Sequence, residues 1–478
     1  MTDRPNVLLI CTDHWSGDLL GCAGHSAIRT PTLDALARCG TRFRRAYSES
    51  PVCVPARRTL MTGTTPRTHG DRTFQQDKPM PDLPTLADTF RAHGYQAYAV
   101  GKLHVYPQRS RIGFDDVILS EEGRNQWGLT DDYDAYLAQS GHAGQRFAHG
   151  MSNNHYVWRP WHLPEEAHET NWATREMVRT IRRRDPTRPG FWYLSYSAPH
   201  PPLTPLKEYL DMYREEDMDM PVMGEWADEG HLPHQLQRRQ QADGPAGFSE
   251  QDVRLARRAF YAQCTHIDHQ IRLVIGALRG EGLLDNTVIL FTSDHGDMLG
   301  DHDLWAKRVF YEKSANVPML LLGTADSDRV GAGQTDDRLV GLQDIMPTLL
   351  DLAGIPAPAA VEGRSMVDSS TARRWLYGEY GEGGEATRMV HDGRYKLIYY
   401  PVGHHIQLFD VELDPRECRD LADREEFAAL RSQLLSRLIQ ELHGSDEAWL
   451  ADGRLVGLPE QPVATRPDRG LSQQRSLY

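Results

Sequence analysis

No run of about 18 apolar residues occurs in the sequence, which excludes a hydrophobic helix long enough to span a bilayer. No basic segment followed by an apolar stretch opens the chain. No signal peptide is therefore legible, and a cytoplasmic location is expected; a removed leader would leave the same start. Cations are in deficit, with 53 Lys and Arg against 67 Asp and Glu and a formal net charge of −14. A nucleic-acid partner is not expected, because binding one needs a basic face. An anionic small substrate stays open, since a local cationic pocket can sit on an acidic protein. The six cysteines, Cys11, Cys22, Cys39, Cys53, Cys264 and Cys418, form no CxxC pair. That spacing excludes a disulfide framework or a zinc knuckle. Five of them read as small buried hydrophobes. Internal repeats and low-complexity tracts are absent.

What is present suits a soluble globular protein: 478 residues, 40% hydrophobic and 25% charged. That length allows one large domain and a smaller one. Four short apolar runs each stop at a polar residue. Asn6–Cys11 runs into Thr12-Asp13-His14, and Tyr95–Val100 into Gly101-Lys102-Leu103-His104. Phe191–Ser197 runs into Ala198-Pro199-His200, and Thr287–Phe291 into Thr292-Ser293-Asp294-His295. Each has strand length and composition. Helical patterns lie between them at Thr32–Arg38, Leu83–Ala92, Leu342–Leu352 and from Ser249 to Ala277, the last opened by a Ser249/Asp252 capping box. Alternating strands and helices predict an α/β fold, a large, mostly parallel sheet with helices on both faces. In such sheets the reactive groups sit beyond the carboxyl ends of the strands. Asp13, Lys102, His104, His200, Asp294 and His295 are thus expected on one rim.

Two stretches, about 109–170 and 211–248, lack periodicity and read as loops over that rim. Past about residue 370, Arg388–Val390, Tyr395–Tyr400 and Ile406–Val411 read as antiparallel strands, with Asp392-Gly393 as a hairpin turn. A helix over Glu425–Leu442 and an irregular tail follow. The expected division is a catalytic domain at 1–370 and a C-terminal α+β subdomain at 371–478.

The sharpest local signal is Cys53-Val-Pro-Ala-Arg57 with Thr62-Gly63 behind it. Pro55 suits a first helical turn and Gly63 a helix end. Cys53 then sits at a helix N-terminus, where the dipole favours an anion, and Arg57 lies one turn on along the same side. The plain alternative is a buried thiol before an ordinary helix, and spacing alone does not separate the two.

Cys-X-Pro-X-Arg followed by Thr-Gly resembles the signature of the type I, formylglycine-dependent sulfatases of the alkaline phosphatase superfamily. The resemblance covers nearly the whole chain. Pro5-Asn-Val-Leu-Leu-Ile, Thr30-Pro-Thr-Leu-Asp-Ala-Leu-Ala and Gly101-Lys-Leu-His match family blocks, as do Ala198-Pro-His-Pro-Pro and Ser293-Asp-His-Gly-Asp-Met-Leu-Gly. Asp344-Ile-Met-Pro-Thr-Leu and Leu408-Phe-Asp with Asp414-Pro complete seven blocks in family order. The fold it implies is alkaline-phosphatase-like. The branches it comes near are the choline-sulfatases, the arylsulfatases and the phosphonate monoester hydrolases.

The resemblance implies that a separate maturation enzyme oxidises Cys53 to formylglycine. One hydroxyl of the hydrated aldehyde would attack sulfur and release the alcohol, and the other would drive expulsion of sulfate. It also implies one divalent ion held by Asp13, His14, Cys53 as formylglycine, Asp294 and His295. Oxygen ligands put calcium first, with manganese or magnesium as alternatives. Asp13-His14 departs from the family's Asp-Asp form, so His14 stands as either a ligand or an outer-shell residue. Arg57 and Lys102 would hold the formylglycine and metal side. His104 is the candidate base for the release step. His200 and Lys307 would bind a sulfate oxygen and assist the leaving alcohol. Arg308 and Lys313 compete with Lys307 for that role.

The alcohol half is the least legible. Trp127, Asn153, Asn154, His155, Trp158, Arg159, Trp161 and Trp172 read either as an aromatic and polar pocket for a sugar or aryl group or as loop anchors. Arg72 and Gln75 also stand near the signature. The expected activity is hydrolysis of a small-molecule or saccharide sulfate ester. The alternatives are phosphonate monoester or phosphate diester hydrolysis at the same site, and a non-catalytic binding protein on the same fold. A homo-oligomer is compatible with the sequence.

Overall fold

The computed structural model describes residues 4–151, 153–154, 156–228, 232–243 and 248–463. In chain order the strands that matter are β1 Asn6–Thr12, β2 Thr41–Phe43, β3 Ala46–Tyr47, β4 Gln96–Gly101, β5 Asp116–Leu119, β6 Gly190–Ser195 and β7 Thr287–Ser293. Then come β8 Met319–Leu322, β9 Gln334–Asp336, β10 Val340–Gly341, β11 Leu376–Tyr380, β12 Thr387–His391, β13 Tyr395–Tyr400 and β14 His405–Asp410. The helices are α1 Pro31–Cys39, α2 Cys53–Thr62, α3 Pro66–His69, α4 Leu86–Ala92, α5 Asp132–Gln139 and α6 Glu169–Arg182. They continue as α7 Lys207–Asp211, α8 His234–Asp243, α9 Glu250–Gly280, α10 Glu312–Ala315, α11 Ile345–Leu352 and α12 Ala428–Glu441.

Eight strands form the central sheet in the order β5-β4-β6-β1-β7-β8-β2-β9. The five from β5 to β7 are parallel, and β8 alone runs against its neighbours. All four expected strands lie in that parallel set. β1 is buried along its whole length, and its residues alternate between two cores. Leu8 and Ile10 face α1, α6 and α9, beside Trp172, Phe260 and Ile271. Val7, Leu9 and Cys11 face α2, α4 and α11, beside Leu60, Phe90 and Leu349. The near-continuous apolar run of β1 follows from this burial on both faces. α9 opens with both hydrogen bonds of the Ser249/Asp252 capping box. Among the described residues, no helix is long and apolar enough to cross a membrane.

Two expectations need correction. The stretches read as loops over the rim contain β5, α5, the start of α6 and, in the second, α8. β5 is a four-residue edge strand with alternate residues unburied, too short for a period to show. α8 is polar on almost every side, so it has no apolar stripe to read.

Beyond the central sheet, β11-β12-β13-β14 form an antiparallel sheet of four strands, one more than the three expected. One face, with Met389, Ile398 and Phe409, packs on Phe310 and Tyr311. The other, with Val390, Leu397 and Leu408, packs on Leu434 and Leu438 of α12.

Candidate active site

Four neighbouring parallel strands deliver their carboxyl ends to one rim. Asp13 follows β1, Lys102 and His104 follow β4, His200 lies five residues past β6, and Asp294 and His295 follow β7. Gly101 sets the exit of β4: its φ is +100°, and a Cβ there would lie 1.8 Å from the Ser195 carbonyl oxygen. α2 enters from the α4/α11 face and puts Cys53 at its first turn. Its end is closed by Gly63, whose φ of +64° is the left-handed cap that the sequence suggested.

Cys53 Sγ lies 3.4 Å from His295 Nε2 and 3.8 Å from Asp13 Oδ1. One ligand atom from each of Asp13, Cys53, Asp294 and His295 falls within 4.8 Å of the others, and all four residues are buried. His295 Nδ1 donates to the Gly296 carbonyl at 3.0 Å, which leaves the Nε2 lone pair facing this cluster. Arg57 Nε donates to Asp294 Oδ2 at 2.9 Å, and its Nη1 is fixed by the Lys102 carbonyl, Tyr193 and Ser195. The Lys102 ammonium is bound between Asp13 and Glu122, at 2.7 Å from the latter. Lys307 Nζ donates to Cys53 Sγ at 2.8 Å and to His14 Nε2 at 2.6 Å. Its two rivals point elsewhere, Arg308 to Asp243 and Lys313 to Asp18.

Although its ring lies against His295, His14 is not one of the four clustered residues. Its Nε2 is 3.6 Å from Asp13 Oδ1, and with Asp13 and His200 it forms a second group of converging ligand atoms. His200 Nδ1 donates to the Pro201 carbonyl at 2.5 Å, leaving Nε2 buried without a hydrogen bond. Both ring nitrogens of His104 and Nη2 of Arg57 are in the same condition. Buried polar atoms without hydrogen bonds call for an explanation, and four of them on three residues around the cluster fit a place shaped for a ligand.

The electrostatics agree. Burial and Asp13 raise the Cys53 thiol, but Lys102, Lys307 and His295 outweigh them and hold it well below the usual range. Asp13 is held low despite burial, chiefly by Lys102 and Lys307. Asp294 is pushed up to about 6 by burial and by Asp13 beside it. Asp13 is paired with Lys102 and Asp294 with Arg57, and the two carboxylates still lie close enough that a divalent cation between them would add further balance. Burial and Lys102 depress His104 to about 4, and burial takes His200 to about 4 against the pull of Glu122. The backbone is strained here too. His14, His104 and Glu122 have φ of +70°, +59° and +55°, and such left-handed non-glycine residues gather at functional sites.

The sulfatase family model matches residues 5–355. The chain belongs to the sulfatase family. This sulfatase also matches, over residues 300–443, the model described as the C-terminal part of N-sulphoglucosamine sulphohydrolase. An arylsulfatase of Clostridium perfringens is 36% identical over 480 residues, covering 97% of this chain and 99% of its own length. A choline-sulfatase of Rhizobium meliloti is 29% identical over 439 residues, or 88% of this chain and 83% of its own. A phosphonate monoester hydrolase of Agrobacterium radiobacter superposes with a TM-score of 0.79 at 24% identity, covering 96% of this chain and all of its own, a likeness of fold. The sulfatase is a sulfuric ester hydrolase, which sets aside the non-catalytic reading.

Three residues of the site escaped the sequence reading. Glu122 meets Lys102 and lies 3.9 Å from His200, while Asp297 and Tyr156 stand behind His14. Asp297 was in view inside the Asp-His-Gly-Asp block but had no assigned role; Glu122 and Tyr156 come from the stretch read as loop. The aromatic and polar set divides. Trp161 and Asn153 line a cleft beside His200 with Glu122, Phe147 and His149. Trp172 is a core residue, Trp127 is 69% exposed, and Trp158 is bridged to Leu203. His155 lies outside the described residues. Arg72 turns away to Glu379 and Asp446, and Gln75 is exposed.

Proposed function

We propose that this sulfatase cleaves the S–O bond of a small-molecule or saccharide sulfate ester, consuming water and releasing an alcohol and sulfate. The nucleophile is a formylglycine made from Cys53 by a separate maturation enzyme. The observation that carries the reading is the convergence of residue 53, Asp13, Asp294 and His295 within 4.8 Å at the start of a helix. Formylglycine at 53 supplies a hydroxyl nucleophile and a second hydroxyl through which sulfate is expelled. Asp13, Asp294, His295 and residue 53 would hold one divalent ion, calcium first for the carboxylate donors and manganese second for the imidazole. When bound, that ion supplies Lewis acidity to an oxygen at position 53.

The remaining work belongs to the side chains. The α2 N-terminus and the Lys102 and Lys307 ammoniums stabilise negative charge at position 53 and on the sulfuryl oxygens. Arg57 is tied to Asp294, Ser195 and the Lys102 carbonyl, so it orients a carboxylate donor and the β4 exit together. His104, depressed to about 4, is neutral at pH 7 and able to accept a proton from position 53. His200 keeps Nε2 free beside the cleft lined by Trp161 and Asn153, where the departing alcohol would lie.

Protein matured in a host with the formylglycine-generating enzyme tests the reading on matched aryl sulfate and aryl phosphonate esters. The expected kcat/KM is at least about 100-fold higher on the sulfate. A reversed preference assigns the site to phosphonate chemistry. No turnover of either ester by fully converted protein removes the proposal.

A further inference from the structure

Behind the nucleophile position runs an unbroken line of hydrogen bonds. Tyr156 OH donates to Asp297 Oδ2 at 2.6 Å. His14 Nδ1 meets the same oxygen at 2.5 Å. His14 Nε2 receives Lys307 Nζ at 2.6 Å, and Lys307 donates to Sγ of residue 53 at 2.8 Å. The polarity of the line follows from its ends. Lysine has only donors, so His14 Nε2 must accept and Nδ1 must carry the proton given to Asp297. Both oxygens of Asp297 are engaged, since Oδ1 accepts from the Leu299 backbone N–H at 2.9 Å. The Asp297 backbone N–H is held by Ser16 Oγ at 3.1 Å. His14 is therefore set from behind by groups that are themselves fixed.

From this we infer that His14 is a positioning residue and not a ligand of the divalent ion. With Asp297 and Tyr156 it fixes the Lys307 ammonium against the side chain at position 53. The inference rests on residue 53 being the nucleophile.

Three observations carry it. The Nε2 lone pair points at an ammonium, and one lone pair cannot bind a proton donor and a metal together. Next, the group of ligand atoms containing Cys53, Asp294 and His295 does not include His14. Last, Lys307 has a second attraction, Asp13 Oδ1 at 4.0 Å. A lysine on a flexible stem would close that gap and sit among the carboxylates that await the cation. His14 Nε2 at 2.6 Å and Sγ of residue 53 at 2.8 Å are both closer acceptors than Asp13, so together they keep the ammonium on residue 53. The left-handed backbone at His14, φ +70°, fits a side chain aimed for such a purpose and kept there despite its cost.

The test takes His14→Ala, His14→Gln, Lys307→Ala and the His14→Ala/Lys307→Ala double variant of the full chain. Mn²⁺ alone is titrated into each metal-free protein, and kcat and KM are measured on an aryl sulfate after maturation. The expected Mn²⁺ affinity of His14→Ala is within about threefold of the parent. Its kcat falls by about 10- to 100-fold, the size of loss that misplacing one group causes. The double variant falls no further than Lys307→Ala alone, because the two residues act as a unit. His14→Gln, which keeps an acceptor for Lys307, recovers part of the loss. A Mn²⁺ affinity lowered by about 100-fold or more makes His14 a ligand and overturns the inference. So does a double variant whose losses multiply in full. Asp297→Asn reads the same line should His14→Ala fail to fold. The Mn²⁺ titration reads His14 without turnover, so it decides this point even where failure of the parent to hydrolyse any sulfate ester removes the functional reading.

Discussion

Arg388 in the C-terminal sheet and Arg57 at the rim of the central sheet are both buried arginines paired with carboxylates, one for Arg388 and two for Arg57, and their surroundings differ. Arg388 has five N–H donors and makes five hydrogen bonds, two to Asp446 and three to the carbonyls of Tyr380, Thr387 and Gly381. Asp446 is shared with Arg72, which also holds Glu379. Opposite charges alternate there, and every N–H of Arg388 is used. At the rim, Arg57 leaves Nη2 without a hydrogen bond, His104 leaves both ring nitrogens, and Asp13 and Asp294 crowd each other. A buried charge left incomplete costs stability, and proteins keep such sites for function. The chain itself satisfies the Arg388 guanidinium in full, whereas at the rim Arg57 and His104 keep buried atoms that a bound ligand would satisfy.

That contrast can be broken or sharpened in four ways. Cys53→Ala has the largest expected effect. Turnover of an aryl sulfate by matured protein should fall by at least about 10⁴-fold, while Tm moves by less than about 3 °C. A variant that keeps its activity breaks the comparison at once. Asp294→Asn comes next, lowering Mn²⁺ affinity and kcat together, each by about 10²- to 10³-fold, with thermal stability of the metal-free protein unchanged or higher. Calorimetry and metal titration read both arms. Asp446→Asn should do the reverse. It takes from Arg388 its one carboxylate partner and from Arg72 one of its partners, costs about 3 kcal/mol in urea unfolding, and leaves the kcat of the folded fraction untouched.

The smallest effect sits between the two clusters. Glu49 is buried, accepts from the Leu342 and Gln343 N–H groups, and is pushed up to about 7 by burial and Asp344. Its folded pKa lies above the ordinary 4.5, so the folded state favours the protonated acid. The stability it contributes is full below about 4.5 and lost as pH rises through about 7. Urea unfolding should show the parent weaker at pH 8 than at pH 5 by on the order of 2 kcal/mol, and Glu49→Gln should shrink that difference.

The rim was legible because four apolar runs each end in Asp, Lys or His, and parallel strands carry those ends to one side. The position of Cys53 was legible from Pro55 and Gly63, which bracket α2. His14 was legible as a site residue, but its role was not, since that depends on Asp297 lying behind it across the fold. Glu122 and Tyr156 belong to a stretch with no period, where only three-dimensional placement brings them in. β5 and β11 were missed because strands of four and five residues are too short for an alternating pattern to show. Polar α8 gave no stripe to read.

The most direct measurement is the mass of the tryptic peptide spanning residue 53, taken from protein made with the maturation enzyme and plotted against specific activity. An aldehyde at that position, with sulfate-ester turnover proportional to the converted fraction, is the predicted result. Full activity in protein that retains an intact thiol at residue 53 would contradict it.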